Sequence, residues 1–165
     1  MRLTFSCLLP AKNRKIISAA ACETDREEAT LYTSVQAATR DSFDRHYVSR
    51  HSDMKQRKVR CMSMASVLAA AEATASDVDV VILDAEGSDL KLLDALLRLP
   101  GFRPLLVRFP CCFGWEARGV PDELGPAMSD LSGRGYDVFL DGGNVLAVHE
   151  RVGESLQDSR GSFRY

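Results

Sequence analysis

Apolar positions recur along this chain at two periods, and the alternation between them predicts the order of its elements. KIISAAAC, Lys15 to Cys22, is a short apolar run behind a basic stretch and reads as a strand. EATLYTS, Glu28 to Ser34, alternates enough to be a second, shorter one. Residues 36–58 are polar, with Arg40, Arg45, Arg50, Lys55, Arg57 and Lys58 against Asp41, Asp44 and Asp53, which predicts a long loop or an irregular helix. In SMASVLAAAEATA, Ser63 to Ala75, the residues Met64, Val67, Leu68 and Ala71 fall at helical spacing behind a serine able to cap the first turn. Val78 to Asp84 is apolar on both faces apart from Asp79, as suits a central strand covered on each side. Ser88 can cap the next helix, whose inner stripe is Leu90, Leu93 and Leu97 and which Pro100-Gly101 stops.

PLLVRFP, from Pro104, is the next apolar strand. Pro121 suits the first turn of a helix that faces Leu124, Met128 and Leu131 inward and ends at Gly133 or Gly135. YDVFL and VLAVH flank DGGN, whose adjacent glycines supply the positive φ that a tight hairpin demands. Strand, helix, strand, helix and closing hairpin make an α/β pattern, mostly parallel with a C-terminal antiparallel hairpin. Three stretches follow: a basic N-terminal segment, 1–14; a folded domain, 15–150; and a polar tail, 151–165, frayed beyond Val152.

A chain of 165 residues with 45% apolar content can build one real core. Its 21 basic and 23 acidic residues leave a formal charge of -2, so no global field favours nucleic acid or an anionic membrane. No apolar run approaches the roughly 20 residues that a membrane-spanning helix requires. Cys7, Cys22, Cys61, Cys111 and Cys112 show no metal-ligand spacing and read as buried or merely reduced thiols; His46, His51 and His149 read as surface residues. Arg2, Lys12, Arg14 and Lys15 precede the first acid, Glu23, in the manner of a transit peptide, but Pro10 breaks the short apolar run, and the compartment stays open.

Candidate chemistry gathers at VVILDAEGSD, Val80 to Asp89, where an apolar strand runs into Asp84, Glu86 and Gly87. In open α/β sheets the ligand crevice lies beyond the carboxyl ends of the strands. Carboxylates placed there can act as a general base toward a substrate hydroxyl or hold a hard cation. They can equally cap the following helix, and Gly87 allows a tight strand-to-helix turn.

VDVVILDAEGSDLKLLDAL resembles the segment around the D-x-E-G motif of FkbM-like methyltransferases, a class I family dependent on S-adenosylmethionine and associated with O-methylation. AAACETDREEATLYTS is similar to the family's third strand and the short strand after it, VRCMSMASVLAAA to its lead-in helix, RPLLVRFP to its fifth strand and GRGYDVFLDGGNVLAVH to its closing hairpin. Arg108 stands where the family usually has an acid. The resemblance implies a partial Rossmann-like sheet, a small-molecule or glycan acceptor, Asp84 as base or hydroxyl-orienting group with Glu86 assisting, and cofactor contacts at Ala21, Cys22 and Gly87. Such enzymes hold the cofactor on a glycine-rich turn after the first strand, yet Gly87 is the first glycine here. The matched region therefore starts at the third strand of the family's order 3-2-1-4-5-7-6. Without its first two strands such a domain would be a fragment or inactive, and the strand Ile16 to Ala21, or a partner chain, is expected to cover the edge of Val80 to Leu83.

Two other readings are open. D-x-D-G-T opens haloacid-dehalogenase-like phosphatases, against which Asp84 would be the nucleophile, with Glu86 and Ser88 in the later motif positions. The basic segment 40–60, with Phe43, His46, Tyr47 and His51 between its arginines, would suit a binding module for an anionic ligand or single-stranded nucleic acid.

Overall fold

The computed structural model describes residues 3–5, 15–34, 41–45, 54–111 and 121–153, which form three sheets and three α-helices. β1 (Leu3–Phe5) and β2 (Lys15–Ile17) make an antiparallel pair. β3 (Ala20–Cys22), β4 (Arg26–Ser34) and β5 (Met54–Ser63) form a sheet in the order β3-β5-β4, with β3 parallel and β4 antiparallel to β5. The chain continues through α1 (Met64–Ala71), β6 (Val80–Ile82), α2 (Asp89–Leu97), β7 (Leu106–Pro110), α3 (Leu124–Gly133), β8 (Tyr136–Asp141) and β9 (Asn144–His149). The last four strands form a sheet in the order β6-β7-β9-β8, in which β6 and β7 are parallel and β9 runs against both of its neighbours.

Local chemistry explains the ends of these elements. The Ser63 hydroxyl accepts from the Ser66 amide at 3.2 Å, satisfying an otherwise orphaned donor of α1, and the helix stops where Glu72 turns left-handed at φ 59°. Gly142 and Gly143, at φ 52° and 89°, supply the two positive angles that join β8 to β9. α1 packs on α2 and α2 on α3. That helical layer buries Val67, Leu92, Leu93, Leu96, Leu97, Leu124 and Leu131 against Val81, Val107, Phe109, Val145 and Ala147 of the sheet. Each such side chain contributes about 1.5–3 kcal/mol by leaving water.

The sheet's other face is different. Strand alternation and register place Val80, Ile82, Leu106, Arg108, Leu146, Val148 and Phe139 on it together. Val80 is 54%, Ile82 64% and Phe139 53% exposed. An open sheet face in an antiparallel protein is ordinarily polar, whereas this one is apolar over its middle apart from Arg108, with Asp137, Asp141 and Asn144 at its rim.

Several expectations are corrected. The fold is α/β, but only two of the six strand pairings, β3 with β5 and β6 with β7, are parallel. The run Lys15 to Cys22 divides into β2 and β3, and β3 joins β5; neither covers β6, which among the described residues is an edge strand and not a central one. Residues 54–58 are strand and not loop, because β4 holds them by a backbone ladder from Ala29 opposite Val59 to Ser34 opposite Met54. Cys22 and Cys61 are joined in a disulfide that spans β3 and β5, and Cys111 is also disulfide-bonded, so these are not reduced thiols. His149 is buried edge-on against the Tyr136 ring at 4.7 Å, its Nδ1 accepting from the Arg151 amide, rather than lying on the surface. His46, Tyr47, Arg50, His51, Asp53, Cys7, Cys112 and residues 154–165 lie outside the described residues.

Candidate functional site

β6 delivers the chain to the acidic turn. Its ladder with β7 extends one residue further, the Leu83 amide donating to the Arg108 carbonyl at 2.8 Å, and Asp84 then emerges into solvent. Ala85 folds back into the core, and Glu86 and Gly87 follow with φ of 46° and 96°. Two successive left-handed residues swing the backbone from strand into α2. Gly87 adopts this freely, whereas Glu86 does so at a cost of about 1–3 kcal/mol and needs its surroundings to hold it.

Two side chains that carried no motif signal do the holding. Asp89, 5% exposed, accepts from the Ala85 amide at 2.6 Å through Oδ1 and from the Gly87 amide at 3.2 Å through Oδ2. Burial raises its carboxyl above the ordinary carboxylate range, and the amides of Ala85 and Gly87 act in the opposite direction. Ser88, the expected cap, makes no side-chain cap bond, and the acid after it binds amides of the preceding turn. Ser42, 2% exposed, donates from Oγ to the Glu86 carbonyl at 2.7 Å and accepts from the Asp44 amide at 3.1 Å. Its own backbone is paired in both directions with Tyr32 of β4. The carbonyl that the left-handed turn pushes outward is thereby satisfied by a segment some forty positions earlier in the chain.

The predicted site residues divide accordingly. Asp84, Glu86 and Gly87 share one clamped turn at the carboxyl end of β6, with Asp84 exposed and Glu86 half-buried. Ala21 and Cys22 belong to the other sheet: the Ala21 methyl is 1% exposed within the core, and the Cys22 sulfur is bonded to Cys61. Either can offer a ligand little beyond main-chain atoms. With no glycine before Gly87, these residues do not by themselves fit S-adenosylmethionine. Among the described residues no cluster of three or more His, Cys, Asp or Glu is set to hold a metal ion. No described helix is long and apolar enough to cross a membrane. Trp115, in CCFGWEARG, is a candidate either to line a substrate mouth or to anchor its loop, and it lies outside the described residues.

A cleft of about 370 Å³ lies between Leu97, Phe102, Arg103, Arg134 and Tyr136. It sits at the amino ends of β7 and β8, opposite the acidic turn, where α/β sheets seldom bind ligands. Two of its polar groups are engaged: Arg134 donates to the Leu97 carbonyl and pairs with Asp130, and the Tyr136 hydroxyl donates to the Pro104 carbonyl at 2.7 Å. The acidic turn is the better candidate. Compared with protein-family models, curated proteins and solved structures, the chain matches none of them.

Proposed function

We propose that this chain forms the acceptor side of a class I methyltransferase-like domain of the FkbM type, acting on a hydroxyl of a small molecule or glycan. The observation that carries the reading is the strand order β6-β7-β9-β8 with β9 antiparallel, which corresponds to 4-5-7-6 of the family's sheet. The D-x-E-G turn ends the first of these strands, where that reading requires it. The free edge of β6 and the apolar open face beside it support a companion segment that supplies a further strand, a covering helix and the glycine-rich turn. S-adenosylmethionine would bring the methyl group with that segment.

Within this division the chain's own residues orient the acceptor. Asp84, exposed at the sheet's carboxyl edge, accepts a hydrogen bond from the substrate hydroxyl and can take its proton. Asp89 and Ser42 hold the turn so that the carboxylate keeps its aim, and positioning of this kind supplies much of the acceleration in a displacement that needs little covalent help.

The test is complementation. The chain mixed with the glycine-loop half of an FkbM-like methyltransferase should transfer methyl groups to hydroxyl acceptors. Asp84→Asn should cut transfer by about 10²–10⁴-fold while leaving binding of S-adenosylmethionine unchanged. Saturable binding of S-adenosylmethionine to the chain alone, or full transfer by Asp84→Asn, would overturn the reading.

A further inference from the structure

β5 has a second free edge, remote in character from the acidic turn. β4 pairs with one side of it from Met54 to Val59, while β3 occupies the other side only at Cys61–Ser63. Among the described residues, the backbone groups of Met54–Arg60 on that side have no strand partner. Lys55, Gln56, Arg57, Lys58 and Arg60 are all exposed along it. Alternation puts Lys55 and Arg57 on one face and Lys58 and Arg60 on the other, each pair about 6.6 Å apart along the strand. Lys58 pairs with Glu28 at 2.8 Å with both side chains mostly in solvent, and Arg60 lies near enough to Asp25 to help lower its carboxyl, behind the larger effect of hydrogen bonds from Ser63 and Ser66. Lys55 and Arg57 make no ion pair among the described residues.

We propose that this edge docks an extended acidic peptide, which adds to the β3-β5-β4 sheet as a further strand in line with β3. Main-chain hydrogen bonds to the free edge would supply affinity, and cations on both faces would select carboxylates at successive positions of the guest. Charge complementarity rules the choice of occupant. A second copy of the chain is disfavoured because it would bring the same cations against one another. Single-stranded nucleic acid is disfavoured because binding of that kind stacks bases on exposed aromatic rings, and the aromatic side chain opposite this stretch, Tyr32 across from Gln56, is half-buried. Lysine on an edge also discourages sheet-to-sheet aggregation, a role that needs no ligand and predicts no binding at all.

Fluorescence anisotropy on the full chain separates these possibilities, using a fluorescein-labelled peptide of about ten glutamate and threonine residues. Saturable binding that weakens with added salt is expected. Arg57→Glu together with Lys58→Glu, both exposed and therefore compatible with an intact fold by circular dichroism, should weaken it by about tenfold or more. The same peptide N-methylated at alternate amides should lose binding, because it cannot form the ladder. No binding, equal binding of the N-methylated peptide, or tighter binding of an oligothymidylate of matching length would each overturn the proposal.

Discussion

The two faces of the β6-β7-β9-β8 sheet are both largely apolar, yet among the described residues only one of them is covered by helices. On the first, Phe109 and Val107 are fully buried beneath α1, α2 and α3. On the second, Ile82, next to buried Val81, and Phe139 stand more than half in water. The difference separates two meanings of a hydrophobic strand. Apolar residues on the first face hold this chain together; those on the second stand open among the described residues, which supports the proposed companion segment. A sheet needing only one layer would carry polar residues across its second face, whereas here Val80, Ile82, Leu106, Leu146, Val148 and Phe139 outnumber Arg108, Asp137, Asp141 and Asn144.

Substitutions can break that contrast. Phe109→Ala should cost about 3–5 kcal/mol in urea unfolding, because it leaves a cavity under the helices. Replacing both Cys22 and Cys61 by serine should cost about 2–4 kcal/mol, since the bond closes a loop of 39 residues. Asp89→Asn should cost about 1–3 kcal/mol by leaving a turn amide without its acceptor. It should also change the pH dependence. The folded state holds the Asp89 proton above the unfolded value of about 3.9, so this group's stabilisation is complete below that pH and is lost as pH rises through the raised folded value. Unfolding curves of Asp89→Asn should therefore fall less steeply across that window than those of the parent. Tyr136→Phe should cost about 1 kcal/mol for its bond to the Pro104 carbonyl. Ile82→Thr, on the open face, should alter stability by no more than about 0.5 kcal/mol while reducing binding of a hydrophobic dye. A cost near that of Phe109→Ala would show the face to be covered already.

How much of this was legible in the sequence follows from the same contrast. Helical periodicity with its serine cap marked α1, a proline near the start marked α3, and Asp141-Gly142-Gly143-Asn144 marked the hairpin, because each rests on local chemistry. The basic half of β5 was illegible: neither of its faces is buried, so no alternation records that it is a strand. β6 was read as a strand covered on both sides because its side chains are apolar on both faces, although Val80 and Ile82 are exposed. The acidic turn was visible as a motif, but its clamps were not. Asp89 looks like an ordinary first-turn acid, and Ser42 reaches Glu86 only through the pairing of its own segment with β4. The disulfide was missed because irregular cysteine spacing says nothing about strands that become neighbours.

The central claim, that β6 and the face beside it receive a strand-and-helix segment carrying the cofactor turn, is met most directly by amide hydrogen exchange along Val80–Ile82. Rapid exchange is expected at the outward-facing amide of this edge strand in the chain alone, and strong protection when the glycine-loop half of an FkbM-like methyltransferase is added. Exchange unchanged by that addition would contradict it.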